Sequence, residues 1–266
     1  MHHLSASLLV ALIGGVVDLD STAAWQFMIS QPIVAAPLTG LFLGNIYGEA
    51  LPALKLGLLV GIILQLLWIE KLPLGMNVPP DAALASVLSV ALGFISGQHY
   101  VNYAEKEVCY TLALLSSIAL GLLGRGLDIF VRRINTELDA WVTVKIEEGS
   151  FWAISFGQTL GAFFTFAKAF MFCFVVVWFG VDIIRHFAEA LAFKHAGGFI
   201  IMQGLLPAVG FSVLASSSLK SKKETAVFIT LMLVYTLLPA KLWLVFLPVT
   251  ILFIYYYYKW KKERSG

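Results

Sequence analysis

Asp81 closes the run LPLGMNVPPD, a carboxylate placed directly after Pro79 and Pro80 in otherwise apolar sequence. Proline fits the first turn of a helix, where its missing N–H would have no partner in any case, so Pro-Pro-Asp marks a helix start. Two roles suit a carboxylate there. It can cap the helix and face the positive end of its dipole, worth about 0.5–2 kcal/mol. It can also accept hydrogen bonds from the hydroxyls of a neutral polar ligand. Asn77, four residues earlier, offers both donor and acceptor, for ligand hydroxyls or for the backbone of its own turn. Gln65 and Trp68 are three residues apart and share a helix face, which sets an amide beside an aromatic plate. That pairing suits a sugar, whose ring has an apolar face and a polar edge. Gln65 is surrounded by leucine and isoleucine, where an unpaired amide costs about 1–3 kcal/mol. It therefore needs a partner, from the protein or from a ligand.

Other polar residues allow fewer readings. Asp18, Asp20 and Gln26 follow the first apolar segment and form either a solvated loop or a second wall of a cavity. Glu70 and Lys71 can pair with each other at the end of a helix. Lys168 and Asp182 are isolated charges in long apolar stretches. Lys168 can snorkel or neutralise a helix C-terminus, or serve ion or proton coupling. The five histidines form no HExxH or other metal-ligand spacing, and no nucleotide-binding loop, GxSxG elbow or CxxC pair occurs. Cys109 and Cys173 lie far apart in apolar surroundings and read as small buried hydrophobes. No catalytic residue, metal or cofactor is expected of this chain.

The elements that must position these residues are membrane helices. Hydrophobic residues make up 59 % of the chain and charged residues 13 %, with a mean hydropathy of +0.87, whereas soluble domains average about 45–50 % apolar and 25 % charged. Apolar segments run over 4–17, 32–44, 54–69, 82–95, 110–131, 156–183, 199–215, 226–238 and 242–257. A full crossing needs roughly 20 residues, so the shorter segments predict half-helices, re-entrant hairpins or tilted helices. The first segment has no Lys or Arg ahead of it and reads as retained rather than cleaved. In lipid, irregular backbone survives only where protein buries it or it lines a wet cavity. The break before Asp81 is thus the first candidate for a binding site.

The expected fold is all-α and polytopic, with broken or re-entrant helices, in a single membrane domain spanning 1–266. Its halves, 1–131 and 151–266, are joined by an amphipathic linker at 132–150, where Leu138, Trp141, Val142 and Ile146 approach helical spacing. HAGGFIIMQGLLPAVGFS in the second half again mixes glycine and proline into apolar sequence, and two such interruptions predict an inverted repeat with a site near the midplane. The basic clusters Lys220, Lys222, Lys223 and Lys259, Lys261, Lys262, Arg264 should both face the cytoplasm, and the two apolar segments between them agree.

The runs QFMISQPIVAAPLTGLFLGNIYG and LKLGLLVGIILQLLWIEKLPLGMNVPPDAALAS resemble the membrane subunit IIC of the mannose/fructose/sorbose family of the bacterial phosphotransferase system (PTS). The likeness is good over about 25–97 and looser afterwards, where it rests on length, the central polar stretch and GGFIIMQGLLPAVGF. It implies a multi-pass permease subunit of the bacterial cytoplasmic (inner) membrane that assembles with a IID subunit. It would carry a hexose inward for phosphorylation by IIB, which is charged through IIA and the histidine-containing carrier protein. Nucleic acid plays no part. The sugar would be held at the broken segment, which singles out Asp81, Asn77 and Gln65. Trp68 and Gln26 join them on the grounds given above. Three positions depart from the family: Gln65 stands where glutamate is usual, Gln31 where arginine is common, and Asn45 where aspartate is usual. Each removes a charge, and a charge-assisted hydrogen bond is roughly twice as strong as a neutral one. These losses leave open a transport-inactive sensor or scaffold. A proton-coupled secondary sugar transporter would instead need Asp81 or Lys168 to titrate.

Overall fold

In a computed structural model of the chain, which describes residues 2–69, 78–219 and 221–237, all regular structure is helical. The helices are α1 (His2–Asp18), α2 (Pro32–Tyr47), α3 (Ala50–Trp68), α4 (Ala82–Gly97), α5 (Tyr103–Glu147), α6 (Trp152–Ser218) and α7 (Lys222–Leu237), with a π-helical turn, Leu19–Ala23, prolonging α1. Five stretches among the described residues are long and apolar enough to cross a membrane: His3–Ser21, Ala50–Trp68, Tyr103–Glu147, Trp152–Leu191 and Gly197–Ser216. The chain divides into two units, Met1–Leu214 and Ala215–Gly266.

The core of the first unit is built around α4. Every residue from Ala83 to Gly97 is buried, so this helix is apolar on all sides, as a helix enclosed by others must be. Close packing explains the enclosure. A Cβ on Gly14 of α1 would come 3.5 Å from Leu84, and one on Gly180 of α6 would come 2.8 Å from Leu92. Tyr47 of α2 meets Phe94 edge-on with ring centroids 5.7 Å apart, and Ser96 donates to the Val181 carbonyl of α6 at 3.2 Å. Cys109 and Cys173 are free and buried, in keeping with a packing role.

Helices α2 and α3 form a hairpin turned at Gly48, whose φ of 72° lies in the left-handed region that glycine adopts freely. Small residues let the two backbones meet. A side chain at Gly57 would sit 2.6 Å from the Ala36 carbonyl oxygen, and one at Gly61 2.7 Å from that of Pro32. One helical turn beyond Gly61, Gln65 is thereby brought beside the first residue of α2.

The polar stretch 132–150 is not a separate linker helix. It continues α5 without a break to Glu147, and the chain reverses at Gly149 (φ 82°). Ser150 then donates to the Lys145 carbonyl at 2.8 Å, and α6 begins at Trp152. At about 1.5 Å per residue, the 45 residues of α5 span roughly 67 Å, twice the hydrocarbon thickness. A ring cluster of Trp141, Trp152 and Phe156 closes the tip of the hairpin.

In the second unit α7 begins with a capping box: Glu224 N–H donates to the Ser221 hydroxyl and Ser221 N–H to the Glu224 carboxylate, both at 3.2 Å. Lys220 and the segment expected at 242–257 lie outside the described residues, as do Lys259, Lys261, Lys262 and Arg264.

Candidate functional site

The site grows from the start of α4. Residues 78–81 are non-helical, and Asp81 is the N-cap, its Oδ1 accepting from Leu84 N–H at 2.9 Å. Its own N–H donates across to the Gly121 carbonyl of α5 at 2.9 Å. Two glycines make this approach possible. A Cβ at Gly124 would fall 2.8 Å from Asp81 Cβ, and one at Gly121 would fall 3.2 Å from the Asp81 carbonyl oxygen and 3.3 Å from the Trp68 ring. Asp81 and Trp68 are therefore seated on the same bare patch of α5.

Asp81 does more than cap. Lys168 of α6 reaches Asp18 at 2.7 Å, Asp128 of α5 at 2.5 Å and Asp81 at 3.7 Å. Three carboxylates from α1, α4 and α5, with oxygens all within 4.8 Å of one another, surround one ammonium that is 5 % exposed. Lys168 neither snorkels nor caps a helix end. It occupies the place a metal ion would take among these carboxylates. Removing one partner of a buried ion pair costs about 3–5 kcal/mol, so this cluster ties four helices together.

The same carboxylates line one wall of a cavity of about 200 Å³, several times the roughly 30 Å³ share of one liquid water. Its lining includes Asp18, Asp81 and Asp128, the amides Gln31, Gln65 and Asn135, the Trp68 ring and Arg132. Of the residues singled out in the sequence, Asp81, Gln65, Trp68 and Asp18 meet here. Gln26 does not: it is exposed on the 24–31 loop and absent from the lining. Asn77, Glu70 and Lys71 lie outside the described residues. Asp182 pairs with Arg185 at 3.3 Å on an exposed surface.

Gln65 finds its partners in the protein. Its Nε2 donates to Gln31 Oε1 at 3.0 Å, and its Oε1 accepts from Ile33 N–H at 3.4 Å. It thus serves the first turn of α2, where Gln31 as N-cap makes no side-chain bond to its own helix. Gln31 and Gln65, two of the three positions at which the resemblance leads one to expect a charge, are bonded to each other. The third, Asn45, is exposed and no part of the cavity lining.

Of the two readings for the residues after the first segment, a solvated loop fails for the acids, since Asp18 and Asp20 are each only 2 % exposed, whereas Asp18 does form part of the cavity wall. Asp20 accepts from Phe27 N–H at 2.6 Å and Ser30 N–H at 3.0 Å. Those bonds hold a loop in which Trp25, Gln26 and Met28 take left-handed φ values of 55°, 57° and 65°, each costing roughly 1–2 kcal/mol for a non-glycine residue.

Asp128 and Asn135 escaped the sequence reading. The signal was there: Gly121, Gly124, Asp128 and Asn135 stand at i, i+3, i+7 and i+14, one face of α5. Small residues where another backbone must approach, followed on that face by polar ones, mark a packed seat beside a pocket.

A bundle of long apolar helices with a partly open cavity of mixed polarity at a helix break defines a multi-pass membrane protein. The chain matches the family described as "PTS system sorbose-specific iic component" over residues 4–255, and it belongs to that family. It is 24 % identical over 205 residues to the PTS system mannose-specific EIIC component of Escherichia coli K12, covering 77 % of this chain and 68 % of that one. It is 25 % identical over 183 residues to the fructose permease IIC component of Bacillus subtilis 168, covering 69 % and 61 %. The fold is shared with two solved structures, each 20 % identical and aligned over 96 % of this chain and 94 % of the other. One, with a TM-score of 0.66, is described only as a membrane protein. The other, with a TM-score of 0.52, is the mannose transporter ManYZ in complex with microcin E492.

Proposed function

We infer that this IIC component binds a hexose of the mannose, fructose or sorbose type in the cavity beside Asp81 and passes it across the bacterial inner membrane. A partner IIB subunit would phosphorylate the arriving sugar, and the chain would work in an assembly with IID. The observation that carries this reading is the cavity itself. Carboxylates, amide groups and one tryptophan ring converge at the only helix break that α5 glycines cradle among the described residues. Carboxylate oxygens accept hydroxyl protons, and the Trp68 plate offers the apolar ring face a surface. In this reading the phosphoryl chemistry belongs to the partner subunits, and this chain supplies the binding and the path.

A transport-inactive sensor is the second reading, and the Gln31–Gln65 bond weighs against it. An eroded site would lose its residues independently. Here an acceptor and a donor are matched at 3.0 Å, so the two positions form a specific contact.

The test is binding of a hexose panel to the purified complex of this chain with its IID subunit, compared with Asp81→Ala. Loss of affinity in the variant supports the site. Unchanged affinity and uptake would mean that the sugar sits elsewhere, and uptake driven by a pH gradient without a phosphoryl donor would replace group translocation with proton coupling.

A further inference from the structure

Asn135 lies on α5 two turns beyond Asp128, within the stretch whose sequence reads as a linker. It lines the same cavity as Asp81, and its Oδ1 is buried yet accepts no hydrogen bond. Gly161 of α6 leaves the amide room, a Cβ there falling 3.4 Å from Oδ1. Buried polar atoms are nearly always satisfied, and one that is not calls for a water, an ion or a ligand. Asp81, which lines the same cavity, adds a carboxylate whose Oδ2 accepts no hydrogen bond and is paired with Lys168 at 3.7 Å.

Asn135 Oδ1 and the Asp81 carboxylate are both acceptors, and they stand on different helices. An acceptor pair spread over two walls matches a ligand that presents several hydroxyl donors on a rigid frame. Cations are served less well, because Lys168 already fills the carboxylate cluster. We propose that Asn135 is a substrate-contacting residue that reads one particular hydroxyl of the sugar, its Oδ1 accepting from that hydroxyl while Asp81 engages another. This rests on the hexose-binding reading above and adds to it a specificity determinant on α5, opposite the helix break. Bound sugar then bridges α4 to the α5–α6 hairpin, so the hairpin becomes part of the binding site.

The experiment uses the full chain with its IID subunit and titrates D-mannose, D-fructose, L-sorbose and D-glucose calorimetrically. It then titrates the monodeoxy series of whichever sugar binds. In the wild type the analogue lacking the hydroxyl that Asn135 reads should bind about ten-fold more weakly than its parent, the worth of one hydrogen bond, and so should the analogue lacking the hydroxyl that Asp81 engages. Asn135→Leu should weaken the parent sugar about ten-fold and abolish discrimination at that one hydroxyl, leaving the other deoxy analogues ranked as before. Asn135→Asp keeps an acceptor and should retain the discrimination, which also guards against a mere folding defect in the leucine variant. If Asn135→Leu keeps full affinity and the wild-type ranking while Asp81→Ala loses affinity, the assignment of Asn135 is overturned and the cavity reading stands. If neither substitution alters binding, or no hexose binds the wild type, both are overturned.

Discussion

The stretch ending at Asp81 and the stretch from His195 to Ser212 share their ingredients, glycine and proline set in apolar sequence, yet they behave differently. The chain is non-helical at 78–81, whereas α6 runs helical through Gly197, Gly198, Gly204 and Pro207. A lone proline deletes one backbone hydrogen bond, and neighbouring turns in a membrane helix absorb that. Pro79 and Pro80 come as a pair. The residue that follows finds better partners outside a continuing helix: Leu84 N–H for its carboxylate, the Gly121 carbonyl for its N–H and Lys168 for its charge. Breakers permit an interruption; tertiary partners make one. The second interruption expected at 195–212 is therefore a stretch of continuous helix.

If partners decide, removing the central one should have the largest effect. Lys168→Met leaves Asp18, Asp81 and Asp128 facing one another without a counter-charge, and thermal unfolding in detergent should show a loss of about 3–5 kcal/mol. The exposed pair Asp182–Arg185 is the control, and Asp182→Asn should leave the unfolding curve nearly unchanged. Equal effects of the two substitutions would show that the buried cluster does not hold the break in place.

The glycine seat comes next. Gly124→Ala would place a methyl 2.8 Å from Asp81 Cβ, an overpacking that costs about 1–3 kcal/mol. Because the displaced group is Asp81 itself, hexose affinity should fall along with stability. Gly126, on the same helix, has nothing within 4 Å of its added carbon. Gly126→Ala should spare both properties, and a matching loss there would remove the seat from the argument.

How much of this could be read in advance depends on the range of the interaction. The helices follow from runs of apolar residues, and Asp81 as a helix start follows from Pro-Pro-Asp; both are local. Lys168 and Asp18 were visible as charges near apolar sequence, but their meeting spans 150 positions of chain and has no local trace. The polar stretch 132–150 is helical as its spacing predicts, but its continuity with α5 is not marked in its composition. Its composition is that of an amphipathic surface helix, yet its backbone is simply more of α5, because helix continuity depends on the absence of a breaker and none precedes Gly149. Gln65 was correctly seen to need a partner, and only the packing at Gly61 selects Gln31 for it.

That pair supplies a smaller test on the entry side of the break. Gln65→Leu removes the bond to Gln31 and the acceptor for Ile33 N–H, and should cost about 1–2 kcal/mol. Gln31→Arg or Gln65→Glu alone introduces a charge with no matched partner. The two together should recover most of the loss, which a double-mutant cycle reads directly as coupling. Additive effects would mean that the two positions are not coupled.

The smallest effect has the opposite sign and belongs to the unbroken stretch. Gly204 in α6 has nothing within 4 Å of an added Cβ, whereas a Cβ on Gly210 would come 2.7 Å from Leu66 of α3. If glycine in α6 is only a tolerated weakness, Gly204→Ala should stabilise the helix by up to about 1 kcal/mol, the propensity difference between the residues. Gly210→Ala gains the same propensity but must displace Leu66, so it should be neutral or destabilising. Destabilisation at both positions would imply that this stretch needs its glycines for bending, which would return it to the same class as the break at Asp81. Stabilisation at Gly204 alone keeps the two regions distinct: in one, glycine admits a neighbour and the chain breaks around it, and in the other most of the glycine is incidental to a helix that continues regardless.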